Sequence, residues 1–503
     1  ADAQAQVDRA SDPVLAAQAL GYRALHLRNQ GKFAEAAAAG RQALQARAQV
    51  RAARGMTVKG PALVATSAGE VSIGSDLAHA LNSRSGGQDL MGSSPISVSD
   101  QLLVQDAQAW EVIGSSLQAE GDLAGARDAL GQASRLLTAS EANGALNVWL
   151  RSRVEADLAD LDVANGQPGQ AADRLATSIQ ILRARHAGTS TEGGLLLQLG
   201  HAQMLAGRDD AALASFGRAF SLFQSQRGSL GASADDAAPY FDLLLAKIAS
   251  DPAKADDYRG RFFSAAESVV SNSTAQTVSK LAARVASGDG AITGLVRALD
   301  DTKRELRATE ARVANLQATN TYLGEAKTTL DLQLKTLQQQ SDTLEAQLLA
   351  ANPRYAQLVA STAALPDLQK ALRKDEVYLK LVLLGGRGYG IVVSQTAAKP
   401  YRLELSREQA ASAVRAIRSP FEAEAGLPAF DIARSYALFQ QLLGPVRTEL
   451  ASAKHLIYEP DGALISLPVA MLVTEDPAPL LAGLAAGKEP DYRKVAWLGA
   501  RLD

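Results

Sequence analysis

Five leucines, Leu316, Leu323, Leu330, Leu337 and Leu344, recur at a spacing of seven. With these at the d position of a heptad, Leu299, Leu306, Val313, Leu334 and Leu348 fall at a. A helix whose apolar residues return every 3.5 positions carries one continuous seam, and supercoiling against a partner helix buries it. Asn320, Lys327 and Ser341 interrupt the a positions, and Thr302 and Thr309 the d positions. Polar a residues cost stability but fix register, so two arrangements follow: a parallel homodimer, or a long helix lying along the rest of its own chain. The stretch 291–351 is assigned to this helix, with α-helical repeats before it and β-strand and mixed α/β sequence after it.

The sequence before the zipper repeats itself. Trp110-x-x-Ile113-Gly114-x-x-Leu117 leads to Gly121, Leu123, Ala126, Leu130 and Ala133. The frame returns as Leu196-x-x-Leu199-Gly200 with Gly207, Ala212, Phe216 and Ala219, and again through Leu158, Gly166, Ala171 and Leu175. A further copy runs through Ala24, Leu27, Gly31, Phe33, Ala36, Gly40 and Ala43. Small residues let two antiparallel helices approach closely, and the glycine between them supplies the turn. These positions resemble the tetratricopeptide repeat (TPR), with turn glycines at 31, 121, 166 and 207 spaced wider than its usual period of about 34 residues. The resemblance implies a TPR-like α-solenoid over 1–54 and 101–290, with a groove that binds a protein or peptide. Residues 55–100, rich in Gly and Ser and without helical period, read as a flexible insertion. Helices expected at Tyr240 to Ile248, Tyr258 to Val270 and Thr274 to Ala286 are assigned to capping the solenoid.

After Asn352-Pro353 the period changes. Asp367 to Lys374 reads as a short helix, Val377 to Leu384 and Tyr389 to Ser394 as a hairpin through Gly385-Gly386-Arg387-Gly388, and Pro400 to Leu405 as an edge strand. Ser406 with Gln409 opens a helix, Asp431 to Ala451 is a longer one, and Leu456 to Glu459 is a strand ending at Pro460-Asp461-Gly462. The run His455 to Leu472, a strand followed by Pro-Asp-Gly, Leu464 and Leu467-Pro468, resembles the CHAT domain, a caspase-like peptidase domain that follows TPR repeats in bacterial proteins. Trp497-Leu498 and the Asp375-Glu376 entry to the first strand support the likeness. It implies that 352–503 is the first part of a caspase-like α/β domain, in which a Cys thiolate attacks a peptide bond and a His handles the proton.

Neither catalytic residue can be assigned here. The chain of 503 residues has no cysteine, and its last histidine, His455, precedes the Pro-Asp-Gly motif. The expected fold class is therefore multidomain: TPR-like α-solenoid, long coiled-coil helix and partial caspase-like α/β domain. The expected function is the regulatory, partner-binding portion of a TPR-CHAT cysteine peptidase, inactive alone: the sequence stops short of the catalytic half, as a truncation or as the first product of a cleaved precursor completed by a second chain, or it is a pseudo-enzyme. The alternative is a non-enzymatic TPR and coiled-coil scaffold.

No catalytic, cofactor-binding or metal-binding residue is expected, and no cofactor. The five histidines, His26, His79, His186, His201 and His455, never stand at metal-ligand spacing. Gly386-x-Gly388-x-Gly390 precedes no helix and reads as a hairpin turn, and Gly487-Lys488 lacks the Ser or Thr of a P-loop. A net charge of -3 gives no basis for nucleic acid as partner, and no apolar run of eighteen residues offers a membrane span. The Ala-Asp-Ala start is compatible with export after signal cleavage and equally with a cytoplasmic location.

Overall fold

The computed structural model describes residues 13–53, 57–59, 62–64, 98–139, 147–225, 235–269, scattered positions within 294–347, 364–421, 429–451, 453–482 and 488–502. Most of them are helical, with one small mixed sheet of four strands. The chain divides into two compact units, one of Ala1–Arg208 with Gln276–Ala360, the other of Asp209–Ala275 with Ser361–Asp503.

The first unit is built of helical hairpins. Helices α1 (Pro13–Asn29) and α2 (Phe33–Ala53) form one, α3 (Val98–Ala119) and α4 (Leu123–Ala139) the next, α5 (Val148–Ala164) and α6 (Pro168–His186) the third, and α7 (Ser190–Leu205) packs on α6. Each hairpin turns at a glycine of the repeat frame: Gly31, Gly121 and Gly166 have φ of 74°, 87° and 72°, and Gly207 after α7 has 73°. An L side chain is strained at such angles, so the turn glycines are a backbone requirement. Gly114 answers a different need. A Cβ there would stand 2.6 Å from Leu130, so α3 and α4 meet at backbone distance. Ala126, Leu130 and Ala133, all 0% exposed, fill that contact. In the 55–100 insertion the described residues are an antiparallel pair, β1 (Thr57–Lys59) and β2 (Ala62–Val64), and 98–100, the first residues of α3. The rest of the insertion and the helix expected at Thr274 to Ala286 lie outside the described residues.

Within 294–347 the described positions are helical. Leu299, Thr309, Leu330, Leu337 and Ser341 are buried, whereas Leu332, off the seam, is 65% exposed. Leu316 and Leu323 are outside the described residues.

The second unit contains α8 (Asp209–Ser225), α9 (Ala238–Ser250), α10 (Ala255–Val269) and α11 (Leu365–Ala371). The sheet strands are β3 (Glu376–Leu384), β4 (Arg387–Val393), β5 (Ala398–Leu403) and β6 (His455–Glu459), in the order β5-β4-β3-β6. The first three pair antiparallel, and β6 runs parallel to β3. Helices α12 (Arg407–Arg418) and α13 (Ile432–Leu443) lie between β5 and β6 in sequence and form the crossover that a parallel pair requires. Ser406 and Gln409 close a reciprocal cap on α12, as their spacing predicts. The longer helix expected to run to Ala451 instead breaks at Gly444-Pro445 into a 3-10 turn and a short helix, Arg447–Leu450, because proline lacks the donor that continuation needs.

Both faces of the sheet are covered, which explains why β3 is apolar along its length. Val377, Leu379, Leu381 and Leu383 point into a core with Val414, Ile417, Leu438 and Leu442 from α12 and α13. On the other face Tyr389 stacks on Phe241 of α9, centroids 4.9 Å apart, and Tyr378 meets Phe263 of α10 edge-on at 6.2 Å. Thus α9 and α10, assigned from sequence to capping the solenoid, form the second layer on the sheet. The division of the chain accordingly departs from the expected boundaries: residues 209–275 join the α/β segment, not the repeats. Nothing in the repeat frame distinguishes a helix that packs on helices from one that packs on a sheet.

Candidate functional site

The sheet face under α10 carries the most unusual side chain of the second unit. Lys380 sits at the centre of β3, opposite Glu459 in the parallel register, and is 1% exposed. Its Nζ is 2.6 Å from Glu459 Oε1 and 2.9 Å from Glu267 Oε1 of α10. The Tyr378 hydroxyl donates toward both carboxylates, at 3.2 Å to Glu267 Oε1 and closely to Glu459 Oε2. Burial, then the two carboxylates, push the Tyr378 phenol well above its ordinary range, so it stays protonated and acts as a donor. One ammonium and one hydroxyl therefore tie α10, β3 and the end of β6 into a single polar knot inside an apolar layer.

Glu459 leads directly into Pro460-Asp461-Gly462. Asp461 Oδ2 accepts from the Leu383 backbone N–H at 2.8 Å, and Gly462 has φ of 57°. The motif therefore turns the chain off the end of β6 and pins it to β3; Asp461 is a turn residue here, as its sequence context suggests. Leu464, Leu467 and Leu472 then drop into the core behind the sheet. Trp497 bridges back to Val473, with its Nε1 donating to the Tyr492 carbonyl at 3.0 Å.

Strand β6 is paired on one side only among the described residues. Its Ile457 is 45% exposed, and beside its end Ile465 and Phe421 are 69% and 52% exposed. Arg418, Phe421, Ile465, Ser466, Leu467, Pro468 and Met471 line a groove at the end of α12. A strand at the border of a sheet, with an exposed apolar side chain on it, is a place where a further strand can add.

A second charged knot lies in the first unit. Glu111 of α3, 1% exposed, accepts from Arg28 of α1 at 2.7 Å and from Arg153 of α5 at 3.0 Å. Asp157, one turn along α5, stands beside Glu111. Burial, then the charge of Glu111, pushes its carboxyl up to about 8. Successive hairpins are joined through this cluster on α1, α3 and α5.

Of the histidines, His26 is exposed and shares a hydrogen bond with Gln30, His201 is half-buried on α7, and His455 begins β6. His79 and the side chain of His186 are outside the described residues. No three His, Asp or Glu side chains gather as a metal site among the described residues. Gly388 and Gly390 lie within β4, where Cβ atoms would meet Leu403 and Tyr401 at 2.9 and 2.5 Å, so this glycine run serves strand packing. Gly487 is outside the described residues. The Lys380 knot has a trace in sequence, a lone lysine inside Val377 to Leu384, but its partner Glu267 is 113 residues earlier and no local pattern links the two. No family model matches the sequence, and no curated protein is significantly similar to it.

Proposed function

We propose that this chain is the regulatory, partner-binding portion of a TPR-CHAT caspase-like cysteine peptidase, with the catalytic Cys and His lying outside these 503 residues. The observation that carries the reading is the position of β6 at the border of the sheet among the described residues, parallel to its neighbour and carrying the exposed Ile457. The glycine-turned helical hairpins supply the repeat part of the same reading, and the strand, Pro-Asp-Gly and buried leucines from His455 to Leu472 supply the caspase-like part. In this reading the completing segment adds a strand along β6, and its backbone hydrogen bonds and apolar side chains cover the edge. The repeats recognise a protein or peptide, and the Lys380 knot holds β6 in place for the added strand.

The absence of cysteine makes the test clean. The chain is isolated from its own cells under native conditions, and the complex is weighed and assayed against a mixed peptide library. The expected result is Cys and His on polypeptide either continuous with these residues or bound to them in stoichiometric amount, and a peptidase activity abolished by iodoacetamide, which has no thiol to modify within these residues. An assembly without a cysteine, or without the activity, overturns the proposal and favours the scaffold.

A further inference from the structure

The Lys380 knot brings together the parts of a covalent bond. Lys380 of β3 and Glu459 of β6 are directly opposite in the parallel ladder, so their side chains leave the same face of neighbouring strands. Nζ lies 2.6 Å from Glu459 Oε1 and 2.9 Å from Glu267 Oε1. Cδ of Glu459 is one bond beyond Oε1, which puts the amine and the carboxyl carbon within near-attack reach. The two carboxylates are held differently. Glu267 receives both Nζ and the Tyr378 hydroxyl on one oxygen, Oε1, whereas Glu459 receives Nζ on Oε1 and Tyr378 on Oε2. The Glu459 carboxyl therefore has the amine at one oxygen and an O–H donor at the other, the arrangement that polarises a carbonyl toward attack. Lys380 is sealed at 1% exposure, while the side chains of Glu459 and Glu267 keep 26% and 18%, a route by which a water molecule leaves.

We propose that Lys380 and Glu459 condense to an isopeptide bond, with Glu267 as the base and Tyr378 as the donor to the oxyanion. A proton passes from Nζ to Glu459 Oε1, leaving a neutral amine beside a carboxylic acid, a pair that burial penalises less than two charges. The Nζ lone pair attacks Cδ, and the electrons of the C=O bond move to Oε2, where the Tyr378 hydroxyl holds them. Glu267 takes a proton from the attached nitrogen. As the carbonyl re-forms, the C–Oε1 bond breaks and Oε1 leaves with that proton as water. One N–C bond replaces one C–O bond, one water is released and Glu267 returns to its carboxylate, so no oxidant or further reactant is needed. The link closes a loop from 380 to 459, a covalent staple in a chain without cysteine. It prevents β6 from peeling off β3, and it does not rest on the peptidase reading.

The test is the intact mass of the full chain under denaturing conditions, followed by digestion with trypsin. The mass should fall short of the sequence mass by one water, about 18 Da. Trypsin should fail to cut after Lys380 and should release one branched peptide that joins 375–387 to 455–488. The branched peptide is the deciding readout, because ring closure at an Asp-Gly pair such as Asp461-Gly462 loses the same mass. Glu267→Gln removes the base and keeps a side chain that bonds Nζ, so the linked fraction should rise about a hundredfold more slowly after synthesis. Glu459→Gln separates the reaction from folding: its amide loses ammonia in place of water, so that chain should carry the same branched peptide at about 17 Da below its own sequence mass. A folded parent protein of full sequence mass, cut by trypsin after Lys380, overturns the proposal. A branched peptide that contains 262–280 in place of 455–488 overturns the roles given to the two glutamates.

Discussion

Lys380 and Glu459 face each other across the one parallel strand pair of the sheet, with Nζ 2.6 Å from Oε1, and the same ammonium reaches Glu267 of α10 at 2.9 Å. A charge at 1% exposure is tolerable only because two carboxylates and the Tyr378 hydroxyl surround it. The pair therefore couples the helical layer to the edge strand: β6 cannot shift along β3 without leaving a buried charge without its counter-ion.

Lys380→Met should be costly, because it removes the cation and leaves Glu267 and Glu459 facing one another. A loss of about 3 kcal/mol in the stability of the sheet unit is expected. Hydrogen exchange of the β6 amides in the full chain reads this out locally, and these amides should exchange about a hundredfold faster. The double variant Lys380→Met with Glu459→Gln should recover part of the loss; a double variant as unstable as the sum of both singles would argue against direct coupling.

The carboxyl of Asp157 gives the first unit a pH dependence. Its folded value, about 8, lies far above the ordinary 3.8, with desolvation the leading cause and the charge of Glu111 next. The folded state thus binds the proton more tightly than the unfolded state, so stability falls as pH rises from about 4 to about 8 and levels off beyond. Above that range Asp157 and Glu111 are both charged, and Arg28 and Arg153 must hold two carboxylates in place of one. Asp157→Asn cannot ionise. Thermal melts between pH 5 and pH 9 should show a decline in the parent protein and a flatter profile in this variant. Identical profiles for the two would remove Asp157 as the source.

What the sequence made legible follows from how local each determinant is. The turns at Gly31, Gly121, Gly166 and Gly207 are written in single residues with one geometric need, and the Ser406 to Gln409 cap is a four-residue pattern; both are readable without the fold. The strands from Glu376 to Leu403 announce themselves through period and apolar run. The placement of α9 and α10 was not legible, because Phe241, Phe262 and Phe263 form an apolar stripe that suits a helix or a sheet equally. Nor were the Lys380 knot or the Glu111–Asp157 pair, each of which joins residues far apart in the chain. Long-range charge pairing leaves no periodic mark.

The close approach of α3 and α4 at Gly114 predicts a steric effect that helix propensity would not. Alanine is normally better than glycine in a helix by about 1 kcal/mol. Here its Cβ would stand 2.6 Å from the Leu130 side chain and 3.2 Å from the Ala126 carbonyl oxygen. Overpacking should reverse the sign, so Gly114→Ala should destabilise the first unit by about 1–3 kcal/mol in denaturant titration. Leu130→Ala in the same chain should relieve the clash, and the pair should be less destabilised than the sum of its parts. A Gly114→Ala variant more stable than the parent would refute the backbone contact.

The burial of Leu330 and Leu337 bears on oligomeric state. Both are below 8% exposed in the single chain, at positions where a parallel homodimer would need them at its interface. A leucine already covered within one chain has little surface left for a second copy. Replacing both by Ala should therefore lower the melting temperature, each substitution costing about 2–5 kcal/mol where the cavity stays open. The mass from light scattering should be the same before and after the change. A parent protein of twice the chain mass that becomes a monomer in the double variant would instead show that the leucines hold two copies together. A change in stability without a change in mass is the signature of a helix that packs within its own chain, because such a helix contributes to folding and not to association.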